Sequence, residues 1–325
     1  MTATLDSPSR TLLTPPQPVQ WHRPLLALAA LMALVSAFAL VARFIDPVEV
    51  TGLNQWDKPL KFSLSIVLYA VTWSWLIGQL QRFRRVAWVA GTVIVISLIV
   101  EMIVIVGAAA VGTTSHFNVS TPLNAFAWTV MAAAISVLWL ATFVAALLLF
   151  FSRLGDSART VAIRTGAVLS LVGLGLGYLM TGPTSAQLAD PQGVVGAHTV
   201  GLPDGGAGLP ILGWSTVGGD LRIPHFVGMH ALQAIPLVLI ALELLSRRVT
   251  VLRDVRVRTG LVWVAAAAYA GFMALVTWQA MRGESIVAPG AETLAAGLTL
   301  LAMAFLAAAV VVLAGRNRLA TEARR

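Results

Sequence analysis

Side chains able to bind or transfer charge gather at R-I-P-H-F-V-G-M-H-A-L-Q, Arg222 to Gln233, which holds two of only five histidines. His225 and His230 are five apart, so on a regular helix they project about 140° from each other and cannot chelate one metal as an i, i+4 pair would. His230 and Gln233 share a side, and Pro236 frees the Leu232 carbonyl, which predicts a kink at that point. Glu101 stands ten residues before the end of an apolar segment and is the only acid so deep, about 15 Å in at helical rise. A carboxylate there costs roughly 2.5 to 3.5 kcal/mol on insertion scales, so it must face the bundle interior, be paired or be protonated. A structural hydrogen bond and a role in proton, ion or ligand exchange are both open to it.

Lys58, Lys61, Ser65, Tyr69 and Thr72 fall within a helical stripe of about 80°, an inward polar face. Lys58 is expected to snorkel to the interface. Lys61, one turn deeper, is the better candidate for binding an anion or pairing with Glu101. The string S-H-F-N brings His116 and Asn118 to the same level, and Gln279 and Arg282 close another apolar segment there. Trp56, Trp214 and Trp278 read as an interfacial aromatic belt. His198, in a loop, and His22, at the opposite end, are poor candidates. Lys61, Glu101, His116, His230, Gln233, Gln279 and Arg282 thus fall in one half of the membrane thickness. One-sided polarity fits an externally open pocket better than a path through both halves.

The elements that must position these residues are membrane helices. The chain has 325 residues, 58% hydrophobic and 11% charged, with mean hydropathy +0.84, too apolar for a soluble domain. Eight apolar segments are long enough to span: Pro24 to Ala42, Leu60 to Leu80, Val86 to Val111, Leu123 to Ser152, Thr160 to Thr181, His225 to Leu245, Leu261 to Met281 and Thr293 to Ala314. The expected fold is therefore all-α, an integral membrane bundle of eight transmembrane helices. Lys and Arg divide 17 to 5 between the two sides, which puts both termini in the cytoplasm and demands an even number of spans. The +8 net charge lies in clusters between apolar segments, where this rule places it, so nucleic acid is not an expected partner. The bilayer is, and a small-molecule ligand is the other.

The absence of cysteine excludes disulfides, thiolate metal sites and c-type haem attachment. Ser36 to Ala39 could pass for a cleavage site, but an uncleaved first helix gives the consistent topology. Residues 1–23 and 316–325 are expected as cytoplasmic tails around a membrane domain, 24–315. Its external segment 182–224 carries 10 glycines and 5 prolines. That segment is either a solvated linker or a lid; Leu209, Ile211, Leu212 and Trp214 favour the lid. Helix starts at Pro59 and Pro224 are offset by 165 residues, and later segments by 175 and 170. Two four-helix halves forming a parallel repeat would explain this, as would the frequency of proline at helix starts. Gly173, Gly175 and Gly177 offer a small-residue face to a neighbouring helix.

The strings W-D-K-P-L-K-F (Trp56 to Phe62), S-H-F-N (Ser115 to Asn118) and H-F-V-G-M-H-A-L-Q (His225 to Gln233) resemble those of an uncharacterised bacterial family of multi-pass membrane proteins. The resemblance spans most of the chain and implies the bacterial inner membrane. Haem A synthase is distantly similar, with eight spans in two halves, but its ligand histidines lie on even-numbered spans, and here only the sixth has them. Zinc hydrolases of the alkaline ceramidase type use three histidines, an acid and a serine, and His116, His225, His230, Glu101 and Ser65 supply those types without the spacing. The expectation is an outward-facing site binding a small molecule or cofactor, with Lys61 and Arg282 holding an anionic group and Glu101 and His230 active. His116 and His230 are the best metal candidates. A haem- or quinone-linked redox protein, a zinc hydrolase, and a transporter or assembly factor are the alternatives.

Overall fold

The computed structural model describes residues 19–322; the first eighteen residues, with Arg10 and the prolines of the N-terminal tail, and the last three, with Arg324 and Arg325, lie outside the described residues. The chain is an all-α membrane bundle. Among the described residues ten α-helices follow one another: α1 Arg23–Ile45, α2 Asp57–Gly78, α3 Arg84–Ala110, α4 Pro122–Phe150, α5 Ser157–Leu176, the short α6 Ser185–Ala189, α7 Arg222–Met229, α8 Ala231–Leu245, α9 Val255–Met281 and α10 Ala291–Glu322. Seven are long and apolar enough to cross a bilayer, and α7 with α8 makes an eighth span bent by 46°. Local chemistry sets several boundaries. Thr121 and Asp156 cap α4 and α5 by accepting from the backbone N–H groups of Asn124 and Arg159, orphan donors at any helix start. His22 caps α1 in the same way while its Nε2 donates to the Trp88 carbonyl at 3.0 Å, which accounts for a buried histidine outside any site.

The eight spans form two halves with one packing order. In the first, α1 packs on α2 and α3, α2 on α3, and α3 on α4; in the second, α5 packs on α7, α8 and α9, the broken helix on α9, and α9 on α10. The halves meet where α4 touches α5 and α2 touches α8. At that second contact Ser65 faces His230 and Leu68 faces Gln233, in each case residues 165 apart. This is the offset of Pro59 from Pro224. Equivalent positions of a two-fold repeat meet at its axis, and the α2/α8 seam is where such an axis would pass.

The bend in the eighth span falls at His230 and not at Pro236, where the sequence predicts it. The reason lies in the neighbouring helices. Ser170 on α5 donates to the Met229 carbonyl at 2.8 Å and Tyr269 on α9 to the Val227 carbonyl at 2.6 Å, so carbonyls near the break are satisfied from outside the helix. Pro236 stays inside α8. The glycine face of α5 is used as expected: a Cβ on Gly173 would lie 2.1 Å from the backbone of Gly228, and one on Gly177 would lie 3.0 Å from the His225 ring. Two helix backbones touch there.

The 182–224 segment is folded over one end of the bundle. Two short hairpins shape this end, β1 Glu49–Val50 with β2 Leu53–Asn54, and β3 Thr199–Val200 with β4 Gly219–Asp220. Val195 N–H donates to Phe117 and Val119 N–H to Gly193, both at 2.8 Å, and Ser285 donates to the Ser215 carbonyl at 3.3 Å. The segment is thus tied to the α3–α4 and α9–α10 connections. It is a cover, not a solvated linker.

Candidate functional site

Beneath the cover, the first two turns of α2 carry Lys58 and Lys61 between Asp57 and the axis. Lys61 points up, its Nζ donating to the Leu212 carbonyl of the cover at 2.8 Å. Lys58 has no hydrogen-bond or ion-pair partner among the described residues, and its charge is the one that acts on Glu101. Lys61, expected to pair with Glu101, instead meets the cover, and neither lysine forms an ion pair with Glu101 among the described residues. Which way a first-turn side chain points depends on what covers the helix end. Here the cover presents a carbonyl to Lys61 and leaves Lys58 to the interior.

Glu101 is 5% exposed on α3, and its Oε1 is buried without a hydrogen-bond partner among the described residues. His116, in the α3–α4 connection, sits in an aromatic box with Phe62, Phe117 and Trp128 at ring distances of 5.7, 6.0 and 5.7 Å. Burial holds its imidazole well below the usual histidine range, and the charges of Lys58, His198, His225 and Lys61 add to the effect. His198, dismissed on sequence, is therefore part of this surround. Its ring lies 4.9 Å from Phe117 and its Nδ1 meets Asp204 at 2.6 Å. Burial lowers the His198 pKa, which its bond to Asp204 opposes. For Asp204 burial acts upward, but hydrogen bonds from His198 and Thr199 hold the carboxyl below its usual range.

The axis supplies a directed chain of hydrogen bonds. Ser65 donates to His230 Nε2 at 3.3 Å, His230 Nδ1 donates to Gln233 Oε1 at 3.3 Å, and Gln233 Nε2 donates to Thr72 at 3.1 Å. His230 and Gln233 share a side, as their spacing requires. His225 lies between α7 and α5, where its Nδ1 donates to the Gly173 carbonyl at 2.8 Å.

Other residues expected at the site are engaged elsewhere. Arg282 pairs with Glu284 at 2.7 Å and Glu292 at 2.6 Å and lies over Trp278 at 4.7 Å on the exposed surface. Gln279 is buried and donates to the Ser285 carbonyl at 2.8 Å. Asn118 is folded into its own turn, its Oδ1 accepting from Ser120 N–H and Oγ at 3.1 and 2.7 Å. Trp56 is likewise no belt residue, since it is buried and donates to Asp46 at 3.0 Å, and Trp214 packs on Phe226 at 5.6 Å.

Charge matching singles out what is left. Arg43 meets Asp57 at 2.7 Å and Arg222 meets Asp220 at 2.6 Å; with Arg282 also paired, the arginines of the cover end are balanced. Lys58 and Lys61 have no carboxylate partner among the described residues. No three His, Asp or Glu side chains come together there in a way that could hold a metal. His116 packs on Phe62, Phe117 and Trp128, and His230 on Phe226 at 4.5 Å. A recess of about 500 Å³ between α3 and α4 is lined by Val86, Val89, Val137 and Leu140 with Arg85 at its end; it is a lipid-facing groove remote from this site. Compared with family models, with curated proteins and with solved structures, the chain has no match.

Proposed function

We propose that the protein is a multi-pass component of a bacterial inner membrane, with both termini cytoplasmic, that binds a small anionic molecule or cofactor beneath its cover. The excess of arginine at the end opposite the cover supports the orientation. The function rests on one observation: two lysines, Lys58 and Lys61, are held half-buried at the covered end of α2 with no ion-pair partner among the described residues, in the same bundle end as a buried carboxylate whose Oε1 has no hydrogen-bond partner there. Removing a charge from water costs several kcal/mol unless it is paired, and bundles retain such groups where a ligand completes them. Lys58 and Lys61 would hold the anionic group, Glu101 would exchange a proton with it or with Lys58, and His116 would face it with a neutral imidazole. Neither haem nor zinc is assigned to these residues.

The test uses inorganic phosphate as probe. The unfolding midpoint of the purified protein is expected to rise with millimolar phosphate, and that of a Lys58→Met/Lys61→Met variant is expected not to respond. Glu101→Gln and His230→Ala are expected to stay folded while losing retained ligand, read by native mass spectrometry with a visible spectrum and metal analysis of the same sample. Equal ligand responses in the wild type and all these variants would remove the site.

A further inference from the structure

The α2/α8 seam joins the two halves by few side chains, and what lines it is unusual for a membrane-facing junction. On α2, Leu64, Leu68 and Val71 are 51%, 52% and 38% exposed, one lipid-facing stripe at i, i+4, i+7 spacing. On α8, Leu237 and Ile240 are 60% and 47% exposed. Between these apolar margins runs the polar chain Ser65, His230, Gln233 and Thr72, every member only half-buried. Polar side chains in a bilayer normally turn into the bundle. Here they border the lipid and continue upward, along the same face of α2, to Lys61 and Lys58.

We propose that this seam is a lateral portal, and that the molecule bound beneath the cover is a membrane-resident amphiphile: an anionic head at Lys58 and Lys61, and an apolar chain leaving between α2 and α8 into the bilayer. The inference rests on the anion site proposed above and names its ligand class. Three features carry it. The cations are closed off on the aqueous side, where Lys61 itself is latched to Leu212 and Arg222 donates to the neighbouring Gly213 carbonyl. The latch turn contains Ile211 at φ +66°, a conformation that a β-branched residue adopts only where surrounding contacts impose it. The seam, by contrast, has a ladder of groups that can exchange their mutual hydrogen bonds for those of a passing head group, with apolar walls for the chain behind it.

Dodecyl phosphate and inorganic phosphate share a head and differ in the tail, so thermal unfolding of the detergent-purified protein with each separates the two sources of the anion. Dodecyl phosphate is expected to raise the midpoint at a concentration at least tenfold lower than inorganic phosphate, and to lose that advantage in Lys58→Met/Lys61→Met. Equal potency of the two would overturn the portal while leaving the anion site standing. No response to either would overturn both, and an undiminished response of the double variant to dodecyl phosphate would show mere coating of the apolar surface. A second measurement needs no variant: a hexadecyl phosphate carrying a diazirine on its chain, photolysed with the wild-type protein in nanodiscs, is expected to label 64–71 and 237–240. Label spread evenly over the other lipid-facing helices, α10 included, would overturn the proposal.

Discussion

At the scale of single residues, the imidazoles of His116 and His198 tie stability to pH. Burial lowers both pKa values, so below the ordinary histidine value of about 6.5 the unfolded chain takes up protons that the folded chain refuses. Stability is then lost as pH falls through that value, with a slope of up to about 1.4 kcal/mol per pH unit for each histidine. Thermal midpoints measured from pH 7.5 to 5.5 are expected to decline, and less steeply in His116→Gln. A profile that His116→Gln leaves unchanged would show that His116 protonates freely in the folded state. S-H-F-N placed His116 at the covered end of the bundle, but its neighbours were not legible. His198 and Asp204 are joined by the closure of a glycine-rich loop, which no periodicity announces. The structural role of Asn118 did leave a local mark, since an Asn two residues before a Ser is a turn-forming pattern. Arg282 had Glu284 two residues away and Glu292 ten away, partners that a reading confined to helical spacing passes over.

At the scale of elements, the crossing of α5 and α7 depends on the absence of side chains at one point. Gly173→Ala would press a methyl group into the Gly228 backbone, 2.1 Å away, whereas at Gly175 the nearest atom, Trp139 Nε1, is 3.8 Å off. Overpacking of a close contact costs typically 1–3 kcal/mol. Gly173→Ala is expected to lower the thermal midpoint or yield of folded protein markedly, and Gly175→Ala to leave both unchanged; equal behaviour of the two would contradict the contact. The small-residue face was readable because Gly173 and Gly177 share a helix side. Its partner was not, because Gly228 lies in a segment whose break is imposed by Ser170 and Tyr269, side chains of other helices. A proline rule placed the bend six residues too late for that reason.

At the scale of the whole molecule, hydropathy alone located all eight spans, since about 20 apolar residues in a row have few other uses. A repeat was suggested only by three similar offsets, one of which recurs where Ser65 meets His230. Orientation is open to direct measurement, because a chain without cysteine accepts single cysteines as unambiguous reporters. A cysteine at Gly206, where a Cβ meets nothing within 4 Å, is expected to react with an impermeant maleimide on intact cells. One at Ser157, at the arginine-rich end, is expected to react only after the membrane is opened. The reverse pattern would invert the proposed topology.

The cover's bonds to the α9–α10 connection, through Ser215 and Ser285, bear on biogenesis. A ribosome delivers this chain from its N-terminus, and Lys58, Lys61 and Glu101 are inserted long before Ser285 exists. Until the seventh span has crossed, the lysines face an unfinished lid. The covered end is consequently among the last features to mature, and a chain arrested before residue 285 would sit in the bilayer with the cover over its two lysines not yet tied down.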